Sequence, residues 1–196
     1  MKEMNPLREL KTDKALANCN GDANSEICFL SLSDNDSPSV RTLVVREISD
    51  SGVYVFLNKT SNKWKQIERN KLSEVLFWYP SLKTQYRVFG EIEELPRTSI
   101  KDHWNRRPLQ SKYMDYAYEH FAEQSQEIPS EKALKDFVNE LKHQTEPNKL
   151  VPPPSASGIR INAASVEKLL LDEHNVHSRK KFTKESESWR QIFLMP

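Results

Sequence analysis

The sequence predicts a mainly β fold with additional helices, arranged as a small closed barrel of about five to seven strands with helices packed outside it. Three observations support this fold class. Short apolar segments separated by turn residues fill most of the first 97 residues, helical periodicity replaces them over 98–147, and strand-like segments return after a Pro-rich connector at 147–157. We expect a single domain over 1–196 in which a helical insertion interrupts the sheet.

Charge and hydropathy exclude several classes of protein. The 29 Lys and Arg residues nearly balance 28 Asp and Glu residues, so no global positive field favours nucleic acid or an anionic membrane as a partner. No apolar run approaches the roughly 20 residues that span a bilayer, and the start "MKEMNPLREL" lacks the apolar stretch of a secretory signal. A cytoplasmic protein is expected, and a nuclear pool is the alternative left open.

Cysteine and glycine usage narrows the chemistry further. Cys19 and Cys28 are too few for a disulfide framework or a zinc cluster, which favours a reducing compartment and no metal site. Only 4 glycines are present, and no Gly-rich phosphate loop, GxGxxG, HExxH or GxSxG motif occurs. A Rossmann or P-loop enzyme is therefore not expected.

The N-terminal part predicts a helix followed by a meander of antiparallel strands. Residues 1–24 combine a helix with a polar loop, and strands follow at 27–34, 39–50 and 53–58. The "SDSG" segment predicts a tight turn, in which Gly52 is able to take a positive φ.

A short helix over 62–70 separates this meander from two further strands. The apolar segment "EVLFWYP" (74–80) predicts a fully buried strand, and "TQYRVFGEIEELP" (84–96) alternates, with one face formed by Tyr86, Val88 and Ile92. Gly90 in mid-strand indicates a bulge or a close backbone approach.

Three helices are expected in the insertion: one at 99–107 that stops at Pro108, one within 110–124, and one at 130–144. Ser130 can cap the last of them. Strands are expected again at 158–172, 179–184 and 189–196.

The "KTSNK" segment (59–63) joins a strand to a helix and has two interpretations. Its hydroxyls, lysines and helix-start amides suit a bound phosphate, but they equally fit a solvated turn with a Ser cap. Arg41 and Arg46 bracket an apolar run, either as rim charges or directed toward one bound anion.

Two further pairs of residues are candidates for binding. Arg107 and Ser111 lie four apart, a spacing that one helical face can present, although Pro108 intervenes. His177 and Arg179 alternate, so one strand face would show both.

Five segments in order resemble the pyridoxamine 5′-phosphate oxidase family, whose members have an FMN-binding split β-barrel and are dimeric. They are "RTLVVR" (41–46), "FLNKTSNKWKQI" (56–67), "FWYPSLKTQYRVFGEIEELP" (77–96), "HWNRRPLQS" (103–111) and "VHSRKKFTKESESWRQIFLMP" (176–196).

The resemblance implies FMN as cofactor and assigns roles to residues of this chain. Ser61 and Lys63 would hold the flavin phosphate, and the backbone of 42–45 would line the ring. Arg179 would reach the flavin from the partner subunit of a homodimer, which places two flavin sites at the interface. The implied cofactor-binding residues are Arg41, Thr42, Leu43, Val44, Val45, Arg46, Leu57, Ser61, Asn62, Lys63, Gln85 and Arg179.

The resemblance also implies a site for a vitamin B6 phosphate, formed by Arg46, Arg107, Ser111 and His177. It assigns no side chain as the catalytic group.

Several positions depart from the family pattern. Asn62 stands where a phosphate-clamping arginine is expected, and an amide cannot replace a charged bidentate guanidinium. The other replacements are Leu57 for a threonine, His103 for a substrate tyrosine, Asn175 for an arginine, Leu169 for a flavin-contacting tryptophan and His120 near a flavin-contacting glutamine.

Three hypotheses follow from this combination. The replacements favour an FMN-binding protein with an eroded substrate pocket, acting as a carrier, sensor or regulator rather than as a B6 oxidase. The first alternative is an active FMN-dependent pyridox(am)ine 5′-phosphate oxidase that produces pyridoxal 5′-phosphate. The second alternative is a dimeric scaffold that has lost the cofactor.

Overall fold

The computed structural model describes residues 4–34 and 37–196 and has the mainly β, partly α composition that the sequence predicts. The helices are α1 Pro6–Cys19, α2 Asn62–Arg69, α3 Arg97–Asn105, α4 Leu109–His120 and α5 Glu131–Gln144. The strands are β1 Ile27–Asp34, β2 Ser37–Ile48, β3 Gly52–Asn58, β4 Leu72–Tyr79, β5 Thr84–Glu94, β6 Ala156–Leu170, β7 Ser178–Glu185 and β8 Ser188–Leu194.

Six of these strands close into a barrel. The sheet order is β3-β2-β1-β4-β5-β6-β7-β8, and an additional pairing of β3 with β6 completes the circle. The predicted closed barrel is thereby confirmed. Contacts within the chain divide it into two compact units, of which the first comprises residues up to Val55, Arg69–Glu93 and Arg160–Pro196. The prediction of a single domain stays a prediction.

Glycines permit the barrel to close. A Cβ atom on Gly52 would overlap the carbonyl oxygen of Ile161, and one on Gly90 would overlap that of Asn162. The close backbone approach expected at Gly90 is present. Gly52 does not take the positive φ that glycine permits; among the described glycines that conformation occurs at Gly21 (φ 72°). Glycine is required at position 52 because a side chain would collide with the neighbouring backbone, not because the turn needs a positive φ.

Strand β4 differs from its prediction, and strand β2 has an irregular register. In β4, Val75, Phe77 and Tyr79 are fully buried, whereas Leu76 and Trp78 are half-buried, so the predicted fully buried strand is wrong. In β2, the register against β3 shifts between Val45 and Glu47, which makes the intervening residue a bulge.

Helix α1, the helix expected within 1–24, packs within the first unit. Its N-cap residue Asn5 accepts a hydrogen bond from the Leu7 amide (2.9 Å), and Leu7 and Leu10 are fully buried. Three residues after Leu10, Asp13 accepts hydrogen bonds from the Tyr86 hydroxyl (2.5 Å) and the Lys168 ammonium (2.9 Å).

The second unit comprises Phe56–Glu68 and Glu94–Ile159 and contains α2 to α5. Its core is formed by Trp104, Tyr113, Ala117, Val138, Leu150 and Ala156. Ser130 caps α5 as predicted, because its hydroxyl oxygen accepts from the Ala133 amide (3.1 Å). Helix α3 ends at Asn105, and Pro108 is the N-cap residue of α4.

One arginine fixes the Pro-rich connector. The Arg97 guanidinium donates to the carbonyl oxygens of Pro152, Pro153 (3.0 Å) and Ala156 (3.0 Å). The Tyr116 hydroxyl donates to the Val151 carbonyl (2.9 Å). No helix among residues 4–34 and 37–196 combines the length and apolar character needed to cross a membrane.

Candidate functional site

The turn that precedes α2 is organised by a buried amide. Asn58 Oδ1 accepts hydrogen bonds from the backbone amide (3.0 Å) and the hydroxyl (2.8 Å) of Thr60, and Asn58 Nδ2 donates to Ser155 Oγ (3.2 Å). The Ser61 hydroxyl, only 1% exposed, donates to the Asn58 carbonyl (2.7 Å) and lies 3.4 Å from the Trp64 amide nitrogen. Ser61 therefore acts as the helix cap that one of the two interpretations predicts.

The two lysines of this turn diverge. Lys59 Nζ bonds Glu94 Oε1 (2.6 Å) and lies 4.8 Å from the centre of the Trp64 ring. Lys63 lies in the first turn of α2, is only 6% exposed, and donates from Nζ to Gln124 Oε1 (2.8 Å). The amides of a first helical turn lack intrahelical acceptors, so this corner has a positive potential.

Gln124 is the residue that the sequence interpretation missed. It follows α4 in the segment "FAEQSQ", and its backbone amide donates to Thr60 Oγ1 (3.2 Å). The next residue, Ser125, has a positive φ of 75°. His120, which the resemblance placed near a flavin-contacting glutamine, is instead exposed, with its ring 6.0 Å from that of Tyr116.

Leu57 and Asn62 flank the same turn. Leu57 is buried at the end of β3, and Asn62 is exposed at the first position of α2. The structure thus brings Leu57, Ser61, Asn62 and Lys63 together at one corner of the second unit.

In the first unit, β2 carries the second group of predicted residues. Residues 37–44 of β2 pair with β1, and the register with β3 begins at Val45. Among the described residues, this register gives 41–44 a strand partner on one side only. Arg41 and Leu43 are half-buried, whereas Thr42 and Val44 are exposed. Arg46, at the bulge, is exposed as well.

An apolar groove of about 570 Å³ lies on the first unit. It is lined by Phe29, Val40, Leu76, Trp78, Gln85, Leu169 and Leu171. Gln85 is its polar side chain, and Val40 is 63% exposed. The groove explains why alternate residues of β4 are only half-buried.

Arg179 is held by a charged cluster on the same sheet. Its Nη2 donates to Glu167 Oε2 (2.8 Å), and Arg87 Nη1 lies 3.5 Å from the same oxygen. Burial alone would raise the pKa of Glu167, but the arginines outweigh burial and lower it. His177 precedes β7, so the expected strand face shared by His177 and Arg179 is wrong; His177 Nδ1 accepts from the Asp172 amide (3.1 Å).

Arg107 and Ser111 belong to the second unit. Arg107 lies between α3 and α4, so the expected common helical face is wrong, because Pro108 starts the new helix. Its Nη1 bonds Asp115 Oδ2. Ser111 is half-buried in the first turn of α4. Within the described ranges, no three His, Cys, Asp or Glu side chains group as metal ligands.

The family model described as pyridoxamine 5′-phosphate oxidase matches residues 21–145. The chain belongs to the pyridoxamine 5′-phosphate oxidase family. The pyridoxine/pyridoxamine 5′-phosphate oxidase of Psychrobacter sp. (strain PRwf-1) is 30% identical over 167 residues, which cover 84% of this chain and 76% of the relative. That of Shewanella denitrificans is 29% identical over 171 residues, covering 87% and 78%.

Two solved structures share the fold. PhzG from Burkholderia lata 383, in complex with tetrahydrophenazine-1-carboxylic acid, has a TM-score of 0.88 and 22% identity, and the match covers 98% of this chain and 93% of PhzG. A pyridoxamine 5′-phosphate oxidase-related, FMN-binding protein from Nostoc punctiforme has a TM-score of 0.80 and 15% identity, with 98% of each chain covered.

Proposed function

We propose that the chain binds FMN and that its substrate pocket has diverged from that of the pyridox(am)ine 5′-phosphate oxidases. Membership in the family supports the cofactor. The observation that carries the proposal is the corner at the start of α2, where Ser61 and Lys63 are almost fully buried and Lys63 Nζ is fixed 2.8 Å from Gln124 Oε1.

The donors of this corner fit a phosphate group. An ammonium, an adjacent side-chain amide and the amides of the first turn of α2 are the groups that bind phosphate at helix N-termini. Ser61 adds a hydroxyl once its hydrogen bond to the Asn58 carbonyl is exchanged. Arg41 and Arg46 are proposed to contribute charge from β2. Asn62 contributes an amide where a guanidinium would bind more strongly.

The flat ring of FMN requires backbone hydrogen bonds and an apolar surface. A strand with one unpaired edge offers peptide groups to a ligand. This supports the proposed contact for 42–44 of the 42–45 segment, whereas Val45 pairs with Val55. Gln85 lies in the apolar groove and is proposed to hydrogen-bond the ring. When bound, FMN supplies the hydride chemistry, and the protein binds and orients the substrate. Arg46, Arg107, Ser111 and His177 are the proposed substrate side.

We also propose that two chains associate through the groove. An exposed apolar surface of this kind is typical of protein interfaces. In that dimer, Arg179 would reach the flavin of the partner. The predicted cytoplasmic location stays a prediction.

The test of FMN binding starts from the purified full chain. We expect a yellow protein with flavin absorbance near one FMN per chain. Replacing Lys63 by Met removes one charge-assisted hydrogen bond, about 1.5–3 kcal/mol, so affinity should fall roughly tenfold to hundredfold. The matched control is Lys65→Met, at an exposed position of the same helix. A colourless protein that takes up no FMN would support the scaffold alternative instead.

Active B6 oxidase chemistry is the second candidate, favoured by the names of the curated relatives. FMN-loaded protein is incubated with pyridoxamine 5′-phosphate and oxygen, and the aldehyde product is measured. Formation of the aldehyde when the enzyme concentration does not exceed the substrate concentration supports the oxidase. Its absence at high enzyme concentration, with FMN bound, supports the diverged pocket.

A further inference from the structure

The positive charge of Arg107 is engaged inside the second unit. Its Nη1 donates to Asp115 Oδ2, and Trp104 Nε1 donates to the same oxygen (3.0 Å). The Asp115 side chain is only 2% exposed. Burial raises the pKa of Asp115, and the Arg107 charge opposes that rise. Arg107 and Asp115 therefore form a pair whose net charge is close to zero.

The shape of the guanidinium adds a second restriction. Bidentate binding of a phosphate needs two neighbouring N–H groups of the fork. Arg107 Nε is buried and has no acceptor among the described residues, whereas Nη1 is directed to Asp115. Burial of Nε removes the side-on pair of N–H groups, and in the end-on pair Nη1 is shared with Asp115, so a phosphate would compete with Asp115 for a two-point contact.

A second carboxylate lies one turn further along α4. Glu119 Oε2 accepts from the hydroxyl (2.5 Å) and the amide (3.2 Å) of Ser155. Asn58 links the two acids, because its amide contacts both Asp115 and Ser155. A dianion brought to Arg107 would meet the repulsion of Asp115 together with the attraction of the guanidinium.

We infer that Asp115 is a specificity-determining residue that holds Arg107 in this state, so that the site selects small oxidisable ring compounds without a phosphate group. The inference rests on the proposed function, because it takes Arg107 and Ser111 as the substrate side. In the opposite role, Asp115 would orient Arg107 toward a phosphate. Removing the carboxylate would then weaken the binding of a phosphorylated ligand instead of tightening it.

The experiment compares two ligands on the FMN-loaded full chain by calorimetric titration. Flavin absorbance first establishes that FMN is bound, so a failure of the proposed function is recognised before any ligand is added. Pyridoxamine 5′-phosphate and pyridoxamine then differ only in the phosphate. For wild type we expect the phosphate to tighten binding less than tenfold. A tenfold or larger preference for the phosphorylated ligand overturns the inference, whether or not any variant folds.

The variant Asp115→Asn keeps an acceptor for Trp104 and removes the charge. We expect it to bind pyridoxamine 5′-phosphate at least tenfold more tightly than wild type, with pyridoxamine unchanged. Asp102→Asn, at an exposed position of α3, is the matched control and should change neither affinity. Weaker or unchanged binding of the phosphorylated ligand by folded Asp115→Asn would assign Asp115 an orienting role and overturn the inference. If wild type binds neither ligand measurably, the variant still decides: folded Asp115→Asn must then bind pyridoxamine 5′-phosphate measurably, and a failure to do so overturns the inference.

Discussion

Asn62 occupies the first helical position of α2 with an exposed side chain, beside the buried ammonium of Lys63. An arginine at this position can project over the corner without disturbing any buried group. We expect Asn62→Arg to tighten FMN binding roughly tenfold to hundredfold, because it adds a charge-assisted hydrogen bond of about 1.5–3 kcal/mol.

Fluorescence titration of apo-protein with FMN measures this affinity. The same exchange at Asn139, exposed on α5, controls for the added charge and should leave the affinity unchanged. An Asn62→Arg protein with wild-type affinity would show that the phosphate binds elsewhere.

The two cysteines differ in reactivity because one is buried. Cys28 is fully buried, and burial raises the pKa of its thiol to about 12, whereas Cys19 is exposed. A disulfide-exchange reagent at pH 8 should modify one thiol per native chain and two in denaturant. Cys19→Ser should reduce the native count to zero, and rapid loss of both native thiols would contradict the burial of β1.

The same thiol gives a pH dependence with a defined sign. In the unfolded chain the thiol ionises near its ordinary value of 9.0, and in the folded chain only at about 12. Unfolding therefore releases a proton in this interval, so the free energy of unfolding should fall as the pH rises above 9. Cys28→Ala should weaken that dependence in urea titrations, whereas Cys19→Ser should not.

At the scale of single residues, local sequence rules found some partners and missed others. The Ser cap at Ser61 and the one at Ser130 follow from short spacing, which local sequence reveals. The contact of Lys63 with Gln124 joins distant segments, and no periodicity encodes it. The pairing of Arg107 with Asp115 was hidden for a related reason, since it depends on how Pro108 redirects the chain.

At the scale of elements, β5 shows how tightly the backbones approach. A Cβ on Gly90 would overlap the carbonyl oxygen of Asn162. We expect Gly90→Ala to lower the free energy of unfolding by about 3 kcal/mol or more, since overpacking against backbone cannot be relieved by a rotamer change.

Gly21→Ala is the comparison variant for urea denaturation. Its site is open, but φ is +72°, so we expect a loss of about 1–2 kcal/mol. Equal stability losses for the two variants would argue against the close approach of β5 to the strand that carries Asn162.

The order of strands and helices was largely readable from the sequence because apolar periodicity changes from two to 3.6 along the chain. What periodicity could not show were the bulge between Val45 and Glu47, the true role of Gly52, and the half-burial of β4. The bulge and the role of Gly52 depend on a neighbouring strand, and the half-burial of β4 depends on an open surface, so the local sequence of each segment does not encode them.

At the scale of the whole molecule, the apolar groove predicts association of two chains. Val40 is 63% exposed at its edge. We expect Val40→Glu to raise the dimer dissociation constant at least tenfold, because a carboxylate would have to enter an apolar interface. Sedimentation equilibrium measures this change.

The matched control is Val151→Glu, since Val151 is 60% exposed in the second unit. This variant should dimerise as wild type does. A monomeric wild-type chain, or a Val40→Glu chain that dimerises normally, would contradict the proposed interface.

The hydrogen bond from the Ala163 amide to the Ser51 carbonyl has a consequence for the nascent chain. The ribosome delivers β3 early, but the strand that seals its outer edge emerges only after the helical segment has been made. During this interval an unsealed strand edge is exposed, and such edges recruit other chains into aggregates. A holdase chaperone that covers this edge should therefore raise the yield of properly closed barrels during recombinant production.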